Sequence, residues 1–222
     1  MKKNITIIGL GDSITEATTQ MPDENKRWLS VLKVKLAAAF PDTEFKVINA
    51  GIGGNSAREA MARFERDVLA HDPDWVVLEF GGNNSDPDNP ARRVGLEEFK
   101  TLLKRYQAAL PSKTKTIIVT FPPVLDDLHI YASNPTYVEF CREAGGFDKS
   151  VDPYRETTRA FAHENGFPVY DLYKELITFG QLNGRLTYTL PDGVHLTQEG
   201  NAVLANGVFK IFEKMFKQEQ ST

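Results

Sequence analysis

The sequence holds a single cysteine, Cys141, among 222 residues, so no internal disulfide staples the fold. With no motif around it, Cys141 reads as a buried or half-buried structural thiol rather than a nucleophile. Histidine is also scarce. The four are His71, His129, His163 and His195, and none makes a metal-type cluster with another His or with Cys. No apolar run approaches the ~20 residues of a membrane span. Lys2-Lys3 ahead of Ile5-Thr6-Ile7-Ile8-Gly9-Leu10 has the charge pattern of a leader peptide. That run is too short and passes straight into a glycine turn, so it reads as a first core strand, and the expected location is cytoplasmic. The formal net charge is -4 with no block of like charges, which argues against a nucleic-acid footprint and against a general phosphate-binding surface. Internal repeats and low-complexity segments are missing, and no motif asks for a cofactor.

What is present is an alternation of strand-length apolar runs with helical patterns. Ile5–Leu10, Phe45–Ile48, Trp75–Glu79, Thr116–Phe121 and Val169–Leu172 read as five strands. Between them, Trp28, Leu29, Leu32, Leu36 and Phe40 recur at helical spacing before Pro41, and Leu96, Phe99, Leu103, Tyr106 and Leu110 do so before Pro111. Ser56 with Glu59 three residues on predicts a capping box for a helix running through Val68. A further helix is expected from Asp152 to the Asn165-Gly166 stop, and a last one carries Leu204, Val208, Ile211, Phe212 and Met215, with Gln218–Thr222 frayed. This order implies parallel crossovers and an α/β fold: a three-layer α/β/α sandwich around a central, mainly parallel five-stranded sheet, built as one domain over 1–222. Active groups in such sheets gather beyond the carboxyl ends of the strands.

The segment Pro122–Val151 is the exception. It is a long insert carrying Tyr131, Tyr137, Phe140 and Phe147. It is expected either to hold a short helix packed on the core or to wall a pocket or a subunit contact, and its aromatics leave room for a homo-oligomer.

Four pieces carry chemistry. Ser13, in Gly11-Asp12-Ser13-Ile14-Thr15, follows the first strand, where a base could activate its hydroxyl and its own N–H could meet developing negative charge. Taken alone it could simply cap a helix. Asn49–Ser56, with three glycines, lets a ligand oxygen approach backbone N–H groups. Asn83, after Gly81-Gly82, could present its amide to the same cavity, although asparagine also favours turns for local reasons. In Asp192-Gly193-Val194-His195, a turn would let Asp192 fix the imidazole tautomer of His195 and aim the other nitrogen at Ser13.

Jointly these blocks resemble those of the SGNH hydrolases, or GDSL esterase/lipase family, over nearly the whole chain. The resemblance implies a flavodoxin-like sheet and a Ser13-His195-Asp192 triad. It also implies an oxyanion hole of the Ser13 and Gly54 N–H groups with the Asn83 amide. Asn84 departs from the family, which often has Asp there. Val47–Ser56, Ala62–Val68 and Pro73-Asp74-Trp75 are similar to the branch with intracellular carbohydrate acetylesterases. The expected activity is therefore a serine esterase removing short acyl groups, acetyl on a sugar foremost, with small-molecule esters as its partners and no nucleic acid or membrane. A lysophospholipase or acyl thioesterase is the rival within the family. A nucleotide- or sugar-binding module is the rival outside it: Gly9-Leu10-Gly11 has two glycines of a dinucleotide fingerprint, but Ile14 stands where the third belongs and no P-loop lysine follows.

Overall fold

The computed structural model describes residues 2–86, 89–129 and 134–220, apart from the side chains of 136, 219 and 220. In chain order the elements are β1 (Lys3–Gly11), α1 (Ser13–Glu16), α2 (Trp28–Ala39), β2 (Thr43–Gly51), α3 (Ala57–Ala62), α4 (Phe64–Asp67) and β3 (Trp75–Phe80). They continue with α5 (Leu96–Ala109), β4 (Lys115–Thr120), α6 (Pro135–Ala144), α7 (Phe147–Glu164), β5 (Val169–Tyr170), α8 (Leu172–Asn183) and α9 (Gln198–Gln220). The five strands pair in the order β2-β1-β3-β4-β5, every pair parallel.

Both faces of the sheet are covered, and the alternation of side chains divides the core in two. Ile5, Ile7, Trp75, Val77, Ile117 and Val119 face one layer, where α2, α8 and α9 supply Leu32, Leu172, Phe212 and Phe216. Ile8, Leu10, Val76, Leu78 and Ile118 face the other, against Phe64, Phe99, Tyr106 and Phe161 from α4, α5 and α7. Strands buried on both sides need continuous apolar runs, which is what the sequence shows at each of them.

Several elements depart from the expected boundaries. The helix after Ser56 begins with the predicted capping box, but it breaks at Arg63 instead of running to Val68. There the guanidinium turns inward to the carbonyls of Ala50 (2.7 Å) and Gly11 (3.3 Å) and to Asn55 (2.8 Å) and Asp67 (2.9 Å), tying together the ends of β1 and β2. α7 starts at Phe147 rather than Asp152, because Asp126 accepts the Asp148 N–H at 2.9 Å and caps the helix from outside, and the helix continues through Pro153. β5 is only two residues long. Leu172 instead opens α8, an unforeseen helix capped by Asp171. α9 runs from Gln198 to Gln220, so Gln218–Gln220 are helical rather than frayed. The insert does hold a short helix, α6, with Tyr137 buried; Tyr131 lies outside the described residues. Cys141 is half-buried, and burial pushes its thiol pKa up, in keeping with a structural role.

Candidate active site

The chain turns sharply out of β1. Gly11 is required at this turn, since a Cβ there would sit 2.8 Å from the Glu79 carbonyl and 2.8 Å from its Oε2. Asp12 then caps α1, its Oδ1 accepting the Ile14 N–H at 3.0 Å, and Ser13 becomes the first helical residue. Far along the chain, the segment before α9 folds into a tight turn in which Leu190 N–H donates to the His195 carbonyl (2.8 Å) and Gly193 N–H to the Leu190 carbonyl (3.0 Å). That turn brings Asp192 back onto His195. Asp192 Oδ1 accepts the N–H groups of Val194 and His195, each at 2.9 Å, and Oδ2 faces His195 Nδ1 at 2.7 Å. The carboxylate assigns the proton to Nδ1, leaving Nε2 as an acceptor for the Ser13 hydroxyl 2.9 Å away, across 182 residues of sequence. Burial works against the charge on Asp192. The hydrogen bonds from the His195 ring and from the two backbone N–H groups outweigh it and bring the carboxyl down to about 2.

The turns after β2 and β3 complete the mouth. Gly54 has φ +78°, a left-handed conformation, and the Arg92 guanidinium packs over its open side, 3.1 Å from where a Cβ would be. The N–H groups of Ser13 and Gly54 meet no acceptor among the described residues. The Asn83 amide nitrogen reaches Asp12 Oδ2 at 3.3 Å and the Asn55 carbonyl at 3.2 Å. Both contacts lie at the long end of the amide hydrogen-bond range. Asn84, the departure from the family pattern, is fully buried and accepts the Ala57 N–H at 2.9 Å, which anchors the start of α3.

Ser13, Gly54, Asn83, Asp192 and His195, the residues singled out in the sequence, thus line one cleft of about 290 Å³. Its lining includes aromatic rings, Phe121 just after β4 and Tyr137 and Phe147 from the insert. It also includes the polar groups of Gln20, Asp86 and Arg92. Arg92 pairs with Asp86 at 3.1 Å, and Asp86 accepts the Tyr137 hydroxyl at 2.6 Å, which ties the insert to the turn after β3. His129, whose role the sequence left open, is buried at the cleft and stacks on Phe147 with ring centroids 4.5 Å apart; burial lowers its pKa and favours the neutral ring. His163 is exposed and His71 half-buried, away from this cleft. Among the described residues no group of His, Cys, Asp and Glu could hold a metal ion.

Sequence reasoning missed Arg92, Asp86 and Gln20, which carry no local signal. It also assigned no role to Asp12 and Glu79, a buried pair of carboxyls under the serine. For Glu79 a signal existed: it is the one charged residue in a strand whose every position is buried.

The model of the GDSL-like Lipase/Acylhydrolase family matches residues 10–203. The chain is 26% identical over 218 residues to an acetylxylan esterase of Geobacillus stearothermophilus, covering 92% of each protein. It is 26% identical over 214 residues to the human isoamyl acetate-hydrolyzing esterase 1 homolog, covering 92% of this chain and 79% of that protein. Among solved structures, LAE5, described as an alpha/beta hydrolase from the metagenome of Lake Arreo, superposes with a TM-score of 0.74 at 21% identity over 95% of both chains.

Proposed function

The chain belongs to the GDSL-like lipase/acylhydrolase family and is a carboxylic ester hydrolase, and from that premise we propose that Ser13, His195 and Asp192 perform its chemistry on short acyl esters, acetyl groups on sugars foremost. The observation that carries this reading is the unbroken relay Asp192–His195–Ser13, at 2.7 and 2.9 Å, opening on a cleft beside two N–H groups that meet no acceptor among the described residues.

His195 Nε2 takes the proton of Ser13 Oγ as that oxygen attacks the ester carbonyl. The resulting oxyanion is held by the N–H groups of Ser13 and Gly54 and by the Asn83 amide, donors already fixed in place before the charge develops. The imidazolium, stabilised by the ionised Asp192, returns its proton to the departing alcohol. Water then enters, loses a proton to His195 and attacks the acyl-serine, and the acid leaves with Ser13 restored.

For the substrate, the aromatic rings in the lining support a short acyl group or a flat sugar face, and Gln20, Asp86 and Arg92 supply partners for hydroxyls. A long-chain lysophospholipid or acyl thioester finds less support, because polar groups share that lining. The reading takes 1–222 as one hydrolase domain whose insert walls the cleft. It also takes the protein as cytoplasmic, by likeness to the branch with intracellular carbohydrate acetylesterases. The test pairs two measurements. A fluorophosphonate probe is expected to label the wild type at Ser13 and to leave Ser13→Ala unlabelled. Acetate release from a panel of acetylated sugars is expected to exceed hydrolysis of long-chain nitrophenyl esters. Labelling elsewhere would end the triad assignment; labelling at Ser13 with no acetate release would end only the sugar acetyl assignment.

A further inference from the structure

Directly beneath the nucleophile lie two carboxyl groups that the acyl-transfer cycle does not use. Asp12 is 0% and Glu79 1% exposed. Their side chains are in hydrogen-bonding contact, one at the exit of β1 and the other near the end of β3. Two full negative charges at that separation and depth would repel each other strongly, with little water to screen them.

Their partners are unequal. Asp12 Oδ1 accepts the Ile14 N–H at 3.0 Å, and its Oδ2 accepts the Asn83 amide at 3.3 Å. Glu79 Oε2 accepts the Thr15 hydroxyl at 3.1 Å, and the Asp12 N–H lies close to the same carboxyl. Glu79 Oε1 is buried and meets no donor in hydrogen-bonding geometry among the described residues. A buried carboxyl with such an oxygen, in contact with another carboxyl, is satisfied if it carries a proton itself and donates it.

We propose that Glu79 is a positioning residue that stays protonated and donates a hydrogen bond to Asp12, so that the buried pair carries one negative charge, held on Asp12 between the serine turn and Asn83. The charge belongs on Asp12 because it caps α1 through the Ile14 N–H, accepts the Asn83 amide and feels the nearby His195 ring. Burial pushes both groups upward, Asp12 to about 6 and Glu79 well above the ordinary carboxyl range, with the Asp12 charge adding to the effect on Glu79. The other titratable or charged groups facing the pair are His195 from the late turn and Arg63, which donates to the Gly11 carbonyl. Thr15 and Asn83 complete its surroundings.

The arrangement links the two halves of the site. One carboxylate caps the helix that starts at Ser13 and holds the amide proposed to bind the oxyanion, and Glu79 keeps that carboxylate in place. A second negative charge on Glu79 would push Asp12 away and disturb both contacts at once.

The kinetic consequence rests on the active-site reading above, but the protonation state does not, and two kinds of measurement separate them. Glu79→Gln keeps the shape, an acceptor for Thr15 and a donor toward Asp12, without a titrating proton. It is expected to retain kcat on p-nitrophenyl acetate within about threefold and to lose less activity than the wild type as pH rises into the range where Glu79 ionises. Glu79→Ala is expected to lower kcat by roughly tenfold or more, part of the ~10²–10³ that loss of an oxyanion donor costs, with KM little changed. An infrared difference spectrum of wild type against Glu79→Gln at neutral pH should show the carbonyl band of a protonated carboxylic acid in the wild type alone. No such band overturns the proposal even if the protein hydrolyses no ester. A folded Glu79→Gln variant as impaired as Glu79→Ala overturns it too.

Discussion

Arg155 is the most demanding test of how this site is built. It sits on α7 with its side chain 0% exposed. It donates to the carbonyls of Phe121 (3.1 Å) and Pro122 (2.6 Å), to the carbonyl (3.0 Å) and Oδ1 (2.6 Å) of Asp148, and to Asp152 Oδ1 (2.8 Å). Its guanidinium also lies over the Tyr173 ring, 4.2 Å from the centroid. Replacing it by Met keeps the volume but strands the Phe121 and Pro122 carbonyls and removes the cation facing a mostly buried Asp148, which keeps the Val124 N–H at 2.8 Å. Removing one partner of a buried ion pair costs about 3–5 kcal/mol. At ~2–4 °C per kcal/mol for a chain of this size, the thermal midpoint should fall by roughly 10 °C. Differential scanning calorimetry of Arg155→Met against wild type checks this, with Lys100→Ala as control. Lys100 forms an exposed pair with Glu97, whose side chain is 87% exposed, so its loss should leave the midpoint unchanged. Because Arg155 fixes Phe121 and Pro122, the variant should also hydrolyse short esters less efficiently through a raised KM. A midpoint within about 2 °C of wild type would refute the reasoning, because it would mean that this network contributes no more than an exposed pair.

Two further outcomes follow from the geometry. Gly54→Ala should retain the fold but reduce kcat by about tenfold or more, since φ +78° strains any L side chain and the new methyl would press on Arg92; steady-state kinetics beside a melting curve separate the two effects. Asp192 has its carboxyl depressed to about 2, so its interactions stabilise the folded state fully above the ordinary carboxyl range and are lost as pH falls through that value. Urea denaturation of wild type and Asp192→Asn should therefore show a stability gap at neutral pH that closes as pH falls from about 4 to about 2.

What the amino-acid order decided by itself was local in origin. Strand runs apolar at every position, helical spacing ended by Pro41 and Pro111, and the Ser56/Glu59 box all depend on neighbours within a turn or two, and all five strands and most helices were legible from them. The candidate site residues could be picked out because each sits in a short block that must turn sharply, after a strand or before the last helix. Tertiary structure decided the rest. The break at Arg63, the early start of α7 under Asp126 and the wall made by Arg92 depend on partners that only folding brings near. The relay from Asp192 to Ser13 has the same origin, spanning 182 residues of sequence. So does the proton we assign to Glu79, because ionisation follows burial and charge through space, and neither is a property of the strand Trp75–Phe80 read along the chain.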